Sequence, residues 1–425
     1  MNFIFISPNF PIRYYLWVKA LRAKGMNVLC VGDTPYASLT PELKESATEY
    51  YWLKDLNNYE DVLNACRFFE KKYGHIDYLE SNNEWWLEND AKIRQELNID
   101  GLRPSDMHAI KAKSAMKEAF SRAGVKVMRY VLVNGPEDLE KAKEFIKAVG
   151  YPVFVKPDVG VGASESFSIK NEERLNEFLS KPLSETYIME EFIDGYIVSF
   201  DGVCNSKSEC VFLTTDHFPT PVDKIVNNNV DYIYWNNPFS LPMPDIDKEA
   251  FEKAGRAVVK SFGIKKRCFH IEFFVLKTDR PGLAKKGEFI ALECNMRCPG
   301  GNTPDLMNYA NSASIYDIYA DVIIYDENRQ DMSKEKYYAF AVDRKDCNKY
   351  FYPQSEIFSK YGSSISFSGR YPKGIAEVMG DEFYYARFKT YEEGIEFAVI
   401  YLKNAKHEGE TLQNCIKHEI VKLYN

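Results

Sequence analysis

The stretches FHIEFF, at residues 269–274, and EFIALECNMR, at residues 288–297, decide the fold of this chain. They are two apolar runs on either side of a turn that contains Pro281 and Gly282, so together they predict a β-hairpin. Each run carries a glutamate among apolar neighbours, and a carboxylate in such surroundings is costly unless it is paired or metal-bound. The pair therefore indicates either a metal site or two glutamates on a solvent-facing edge hairpin.

Two further residues of the second run favour the metal site. Successive side chains of a strand alternate between its faces, so Glu293, Asn295 and Arg297 lie on one face. With Glu272 from the first run, the two acids and the amide supply an all-oxygen ligand set, which suits Mg²⁺ when phosphate oxygens complete its shell. Arg297, at the end of this face, is then placed to meet a phosphoryl group during its transfer.

A glycine-rich turn follows another apolar run. The run YPVFVKP at residues 151–157 leads into DVGVGAS at residues 158–164. Glycines let backbone N–H groups approach phosphate oxygens, and the ammonium group of Lys156 adds charge. The P-loop pattern GxxxxGK[ST] is missing, so phosphate binding and a plain turn after a strand both remain open here.

A third candidate is the predicted strand end at residues 186–195, TYIMEEFIDG. We expect this segment to present main-chain groups to the edge of an adenine ring, with the Ile193 N–H and the Glu191 carbonyl as the pair. Taken alone, the segment is also compatible with an ordinary strand end.

Strands and helices alternate before these regions, which predicts a parallel sheet with both faces covered. The predicted elements are strand 3–6, helix 13–23, strand 28–31, helix 62–73, strand 76–79 and helix 85–97. No GxGxxG motif follows the first strand, so nothing indicates a dinucleotide site. We expect a boundary at residues 101–104, a strand-rich part from 187 to 294, and a tail of short strands with one helix at 392–404.

Composition argues against several classes of protein. The net charge of −8 provides no basic field for nucleic acid or anionic membrane. No apolar run reaches the roughly 18 residues of a membrane span, and the apolar start is too short for a secretion signal. The 9 cysteines include no CxxC pair, which predicts reduced thiols rather than a zinc site. We therefore expect a soluble, cytoplasmic protein.

The order and spacing of these regions resembles the ATP-grasp superfamily. In chain order they are Lys113, Lys156 with its glycine turn, Glu190–Ile193, Glu272, and the triplet Glu293-x-Asn295-x-Arg297. The resemblance covers roughly residues 1–320. It is nearest to the carboxylate–amine (or carboxylate–thiol) ligase branch, which is related to biotin carboxylase and to the ATP-grasp units of the carbamoyl-phosphate synthetase large subunit.

The resemblance implies an α/β and α+β fold in three parts. A Rossmann-like preATP-grasp domain would occupy residues 1–103, a two-lobed ATP-grasp domain residues 104–325 with its division near residue 190, and a small α+β region residues 326–425. It implies ATP and Mg²⁺ as cofactors, with two ions and with Mn²⁺ as a substitute. The chain has one ATP-grasp unit and no biotin-carrier segment, which argues against a carboxylase.

The resemblance also implies roles for individual residues. The metal ligands would be Glu272, Glu293 and Asn295, and the catalytic residues Arg297 and Lys156. The acidic residue that often holds ribose after Gly195 is missing, so Asp194 is expected to take its place. The residues implied to bind the nucleotide are Lys113, Lys156, Gly160, Gly162, Ala163, Ser164, Glu190, Glu191, Phe192, Ile193 and Asp194.

Four other residues are weaker candidates. Glu84 follows a strand of the first domain, where it could contact substrate, although capping of the next helix explains it equally well. Gly300 and Gly301 could let a substrate carboxylate approach the backbone, with a plain turn as the alternative. His270 is expected to pack or to support a ligand rather than to catalyse.

These inferences predict a ligase for a small-molecule carboxylate and an amine. The carboxylate would attack the γ-phosphate of ATP, and the amine would displace phosphate from the acyl phosphate, leaving ADP and phosphate. The alternatives are another phosphoryl transfer on the same fold and a non-catalytic nucleotide-binding protein; a complete metal set argues against the latter. The sequence leaves open the acid, the nucleophile and whether the protein forms a homo-oligomer.

Overall fold

The computed structural model describes residues 1–160, 166–219, 231–243, 246–371, 376 and 379–402. Its helices are α1 (Tyr15–Ala23), α2 (Pro41–Ser46), α3 (Tyr59–Tyr73), α4 (Leu87–Glu96), α5 (Met107–Lys111), α6 (Lys113–Arg122), α7 (Leu139–Val149), α8 (Glu172–Phe178), α9 (Lys248–Ser261), α10 (Thr303–Asn311), α11 (Ile315–Tyr325), α12 (Gln354–Tyr361) and α13 (Tyr391–Leu402). None of these helices has the length and apolar character needed to cross a membrane.

The strands of the described residues form three sheets. They are β1 (Asn2–Ile6), β2 (Asn27–Gly32), β3 (Glu49–Trp52), β4 (Tyr78–Glu80), β5 (Tyr130–Val133), β6 (Val153–Pro157), β7 (Phe167–Ile169), β8 (Tyr187–Glu191), β9 (Gly195–Cys204), β10 (Cys210–Phe218), β11 (Tyr232–Pro238), β12 (Arg267–Leu276), β13 (Phe289–Asn295), β14 (Tyr338–Arg344), β15 (Ile365–Arg370) and β16 (Glu382–Phe388).

The first sheet is parallel, as the alternation of strands and helices predicts. Its strand order is β3-β2-β1-β4. Side chains of β1 alternate between the faces: Phe3 and Phe5 pack with helix α1, whereas Ile4 and Ile6 pack with helix α3. Both faces are therefore covered. The predicted first helix begins later than expected, because a 3₁₀ turn at Ile12–Tyr14 follows Pro11.

The second sheet is a small antiparallel lobe. Its strand order is β5-β8-β6-β7, and the core residues of helices α7 and α8 pack against it. Strand β6 ends with Lys156 and Pro157, and strand β8 ends with Glu190 and Glu191. The predicted phosphate and adenine regions therefore both lie on this lobe.

The third sheet has eight antiparallel strands in the order β13-β12-β9-β10-β11-β14-β16-β15. The hairpin predicted for the deciding stretches forms its β12–β13 edge. In the described part of the tail, helix α12 precedes α13, where the sequence predicted one helix; the eight-residue α12 carries too few apolar residues to stand out. The tail strand β14 pairs with β11, so this part of the chain extends the same sheet.

Strand register places many polar residues on one face of this third sheet, here called the acidic face. Glu272 is opposite Glu293, His270 is opposite Asn295, and Asp201 of β9 is opposite His270. Thr214 of β10 is in turn opposite Asp201. Because residues directly opposite each other share a face, the acidic face runs without interruption from β13 to β10.

Candidate nucleotide and metal site

The paired glutamates Glu272 and Glu293 form the centre of the site. They stand directly opposite each other on β12 and β13, and the hairpin has a bulge immediately after Glu272. The Glu272 side chain is only 24% exposed, so the alternative of two solvent-facing glutamates does not describe this hairpin. Like charges at directly opposed positions repel each other, so a cation bound between the two carboxylates would stabilise the pair.

The oxygen ligands suit Mg²⁺ that is shared with a phosphate. The Asn295 amide lies beyond Glu293 on the same face, which adds a third oxygen. Within the described part of the chain, no group of three or more His, Cys, Asp or Glu side chains forms a complete cage. A hard ion held by two carboxylates and one amide would take its other ligands from phosphate oxygens and water, which is the usual mode of Mg²⁺.

His270 supports Glu272 rather than occupying the site itself. Its Nδ1 lies 2.6 Å from Asp201 Oδ1 and its Nε2 lies 3.0 Å from Glu272 Oε1. Both partners are carboxylates, so both ring nitrogens act as donors. Burial acts against the charged ring, but these two carboxylates outweigh it and raise the pKa of His270 to about 10. The imidazolium thus fixes one oxygen of Glu272 and leaves the other for a metal.

Two lysines contact Glu190 at the end of β8, and a third lies near it. Glu190 is buried, and its two oxygens lie 2.6 Å from Lys117 Nζ and 2.9 Å from Lys156 Nζ. Burial opposes its ionisation, but the two ammonium groups lower the pKa of Glu190 to about 2. Lys113 is also buried. The sequence analysis missed Lys117, although its position one helical turn after Lys113 on α6 was an available signal.

The first turn of α6 is joined to the glycine turn that follows β6. The Lys113 N–H donates to the Asp158 carbonyl at 2.9 Å, and Lys113 Nζ lies 3.2 Å from the Gly160 carbonyl. Ser114 donates to the Asp158 carboxylate through both its N–H and its hydroxyl. Lys113 and Gly160 are therefore brought together. The other predicted residues of this turn, Gly162, Ala163 and Ser164, lie outside the described residues.

The predicted adenine segment is a main-chain hinge between β8 and β9. The Glu191 side chain is occupied, since its Oε2 lies 2.6 Å from Arg129 Nη2 and 3.1 Å from Arg280 Nε. Ile193 is buried and Phe192 is 40% exposed. No acceptor among the described residues takes a hydrogen bond from the Ile193 N–H, whereas the Asp194 carbonyl accepts one from the Lys277 N–H at 2.9 Å. The Ile193 N–H is thus available to a ligand.

Arg297 meets Glu84 of the first sheet's edge. Arg297 Nε lies 3.4 Å from Glu84 Oε2, and its guanidinium also contacts the Asn295 amide and the Cys298 carbonyl. Burial raises the pKa of Glu84, and the charge of Arg297 offsets only part of this effect. After Arg297 the chain turns at Gly300 and Gly301, where φ is +61° at Gly301, and enters α10.

A buried cluster of ions, which the sequence analysis missed, lies behind Arg297. Arg267 Nη2 lies 2.7 Å from Glu80 Oε2, and Arg94 Nη2 lies 3.0 Å from the same oxygen. Arg267 Nε also donates to the Met296 carbonyl at 2.8 Å, directly between Asn295 and Arg297. The sequence did offer a signal for this cluster, because Arg267 begins a buried strand and a buried charge needs a partner of opposite charge.

Comparisons with known proteins identify relatives of the central part of this chain. Residues 112–299 match the family model "Carbamoyl-phosphate synthase L chain, ATP binding domain". The carbamoyl phosphate synthase large chain of Thermus thermophilus is 25% identical over 293 residues, which cover 66% of this chain and 26% of that protein. Alanine–anticapsin ligase of Bacillus subtilis is 24% identical over 262 residues, which cover 56% of this chain and 54% of that protein. The match thus spans about half or less of these curated relatives.

Solved structures show the same fold over nearly the whole chain. An L-amino acid ligase from Bacillus licheniformis superposes with a TM-score of 0.68 at 16% identity, over 92% of this chain and 94% of that chain. N5-carboxyaminoimidazole ribonucleotide synthetase from Thermotoga maritima gives a TM-score of 0.61 at 18% identity, over 94% and 96%. Biotin carboxylase from Campylobacter jejuni gives 0.65 at 15% identity, over 93% and 90%.

Proposed function

We propose that this chain, whose residues 112–299 match the ATP-binding domain of the carbamoyl-phosphate synthase large chain, is an ATP-grasp ligase that activates a carboxylate as an acyl phosphate and joins it to an amine. The observation that carries the proposal is the register that sets Glu272 opposite Glu293 with Asn295 and Arg297 beside them. Such an arrangement suits the transfer of a terminal phosphate, in which catalysis consists mainly of positioning and charge neutralisation.

Each part of the site has a role in this proposal. Glu272, Glu293 and Asn295 hold two Mg²⁺ ions, for which Mn²⁺ can substitute; bound there, the metal neutralises the charge of the terminal phosphates. Lys113 and Lys156 bind the phosphates. Glu190 holds the ammonium of Lys156 in place, since the two lie 2.9 Å apart.

The hinge residues Glu190 to Asp194 hold the nucleoside. The Ile193 N–H and the Glu191 carbonyl bind the adenine edge, Phe192 and the apolar part of Ile193 border the ring, and Asp194 takes the ribose. Gly160, together with Gly162, Ala163 and Ser164, covers the phosphates. Glu84, Gly300 and Gly301 border the substrate, since Glu84 contacts Arg297 from the edge of the first sheet.

The reaction proceeds in two displacements. A carboxylate oxygen of the acid attacks the γ-phosphorus, the bond to the bridging oxygen breaks, and ADP leaves with that oxygen. The amine nitrogen then attacks the acyl carbon, its proton is lost to solvent or a base, and inorganic phosphate leaves. Arg297 neighbours the metal ligands and not the adenine hinge, so its charge stabilises the group that is transferred from the γ position.

The proposed substrates are amino acids or similar small acids and amines. Two of the similar proteins carry such substrates in their names, alanine–anticapsin ligase and the L-amino acid ligase. The test is a screen of amino acids and small acids for stimulated phosphate release from MgATP, followed by chromatography of the nucleotide products. We expect ADP and phosphate, and a hydroxamate of the acid when hydroxylamine replaces the amine.

Three results would contradict the proposal. Stoichiometric AMP and pyrophosphate would show attack at the α-phosphate. A stable phosphorylated product that hydroxylamine does not trap would instead favour phosphoryl transfer without ligation. Nucleotide binding with no turnover on any acid would favour a non-catalytic nucleotide-binding protein.

A further inference from the structure

A row of aromatic side chains continues the acidic face beyond the metal ligands. The ring of Phe218 lies 6.4 Å from that of His270 and 5.5 Å from that of Tyr234. The Tyr234 hydroxyl lies 3.0 Å from the Tyr385 hydroxyl, which lies 3.2 Å from the Tyr371 hydroxyl. The row therefore leads from a neighbour of Glu272 across the sheet to β16.

Asp343 lies at the far end of this row. It is on β14, directly opposite Tyr232 of β11 and Phe383 of β16, and therefore faces the same side of the sheet as these aromatic residues. Its exposed fraction is 0%. Within the described part of the chain, no Lys, Arg or His forms an ion pair with it, and no fully formed hydrogen bond reaches either carboxylate oxygen, although the Tyr371 hydroxyl lies close enough to lower its pKa.

The other buried aspartates of the acidic face have partners. Asp201 contacts His270 at 2.6 Å, and Asp216 Oδ1 accepts a hydrogen bond from Asn236 Nδ2 at 3.0 Å. Burial, and next the neighbouring Asp231 carboxylate, raise the pKa of Asp343 well above its usual value, and the Tyr371 hydroxyl offsets only part of this effect. A buried carboxyl without a counter-charge stays protonated, and a cationic ligand that supplies the counter-charge would favour its ionised form.

We propose that Asp343 binds a cationic group, an ammonium or guanidinium, of the amine substrate. This inference rests on the proposed ligase function and names the class of its second substrate. The tyrosine rings around Asp343 suit an organic cation, because an aromatic face attracts a positive charge. A divalent metal ion requires about six oxygen ligands, and Asp343 is the only carboxylate with both oxygens unpartnered in the described surroundings.

The cation at Asp343 is a group other than the reacting amine. The nucleophile must be neutral and close to the acyl carbon, near Arg297 and the metal ligands. Strands β12 and β14 are separated by β9, β10 and β11, so four strand spacings of about 4.8 Å place Asp343 roughly 19 Å from Glu272 along a flat sheet. A substrate that reaches it lies beyond the acid and carries its charge at its distal end. Basic amino acids and diamines are such substrates.

The test compares cationic amines with neutral compounds of nearly the same shape. Calorimetry on the full-length protein with MgADP would measure binding of L-arginine against L-citrulline and of L-lysine against L-norleucine. We expect each cationic compound to bind at least about ten-fold more tightly than its neutral match. The preference should vanish in Asp343→Asn and persist in Asp346→Asn, a matched control whose carboxylate is 63% exposed.

The outcomes separate this inference from the proposed function. Equal affinity for arginine and citrulline in the wild-type protein overturns the inference, and this comparison needs no variant to fold. A preference that survives in Asp343→Asn, with MgADP binding intact, overturns it as well. Hydroxamate and ADP formation without any preference for cations would leave the ligase function standing and the inference refuted. A preference that depends on Asp343 in a protein that forms no ADP would refute the ligase function alone.

Discussion

Glu293 is the residue whose charge the proposed chemistry needs most. It lies opposite Glu272, and no side chain among the described residues donates a hydrogen bond to it. We predict that Glu293→Gln keeps the fold but lowers turnover by about 10²–10³-fold or more, because the variant loses the charge that holds the metal. Steady-state kinetics would measure the loss, and calorimetry should show that Mg²⁺ no longer strengthens ATP binding.

Glu288 provides the control for this prediction. It belongs to the same hairpin, but its side chain is 47% exposed and pairs with Lys126. Glu288→Gln should therefore have wild-type turnover. If Glu293→Gln were as active as Glu288→Gln, the paired glutamates would have only a structural role.

Asp90 makes stability depend on pH in an unusual direction. Burial, and next the neighbouring Glu80, raise the pKa of Asp90 to about 7. The folded protein therefore keeps a proton that the unfolded chain loses above its ordinary pKa of about 3.9. The contribution of the Asp90 carboxyl to the free energy of unfolding is at its highest below about pH 4. It falls as pH rises from there towards 7 and is constant above that.

We predict that Asp90→Asn weakens this pH dependence. Urea unfolding at pH 5 and at pH 7.5 should show a larger loss of unfolding free energy in the wild type than in the variant. Asp100→Asn, at an exposed position, serves as the control and should show the same pH dependence as the wild type. The pH dependence that remains in Asp90→Asn then belongs to other groups that titrate in this range. Parallel pH profiles for wild type and Asp90→Asn would contradict the raised pKa.

Individual site residues could be predicted when they lie in a single strand or in a single short motif. The alternation of β13 was enough to place Glu293 and Asn295 on one face, and the register sets Glu272 opposite Glu293. Arg297 lies two residues past the end of β13, where its guanidinium contacts Asn295. The pairing of Lys117 with Glu190 and of Arg267 with Glu80 was not predictable, because the partners are 73 and 187 residues apart in the chain. Ion pairs over such separations leave no local pattern in the sequence. The roles assigned to these residues stay predictions.

At the scale of elements, Arg267 connects strand β12 to the first sheet. It bonds Glu80 at the end of β4 and the Met296 carbonyl next to Arg297, so the two domains meet behind the site. We predict that Arg267→Met destabilises the protein by about 3–5 kcal/mol, since it leaves a buried carboxylate with one partner fewer. We also predict a fall in kcat with little change in the affinity for ATP, because Arg297 loses its support.

Denaturant unfolding and steady-state kinetics together test the role of Arg267. Arg256→Met is the matched control, since Arg256 is 42% exposed on α9 and pairs with Glu252 within its own helix. It should change neither stability nor kcat noticeably. A variant Arg267→Met that is destabilised but has an unchanged kcat at a temperature where it is folded would show that the contact is structural only.

At the scale of the whole molecule, the tail extends the sheet that carries the proposed metal ligands. Strand β14 pairs with β11 through the register Tyr232↔Asp343 to Asn236↔Ala339. We predict that a fragment of residues 1–330 does not fold to a soluble monomer, because its β11 would become an unpaired edge with buried aromatic side chains exposed. Size-exclusion chromatography and ADP binding would test this. A monomeric fragment that binds ADP would contradict it.

The parallel domain was easier to predict than this continuous sheet. Neighbouring strands of the first sheet follow each other closely, so alternating strands and helices reveal them. Strands β11 and β14 are about a hundred residues apart in the chain, and the sequence of β14 alone does not indicate which strand it pairs with. The division of the chain at residues 103 and 325 therefore stays a prediction.

The continuity of the third sheet also bears on how such a protein can diverge from its ancestors. The family match ends at residue 299, just after the proposed metal ligands, yet the sheet continues through β14, β16 and β15. Backbone hydrogen bonds join the two halves at β11 and β14, and these bonds place few demands on the side chains beside them. We expect descendants to have exchanged residues such as Asp343 freely while the nucleotide half stayed under constraint. Proteins with this architecture can thus inherit the same nucleotide site and acquire different second substrates.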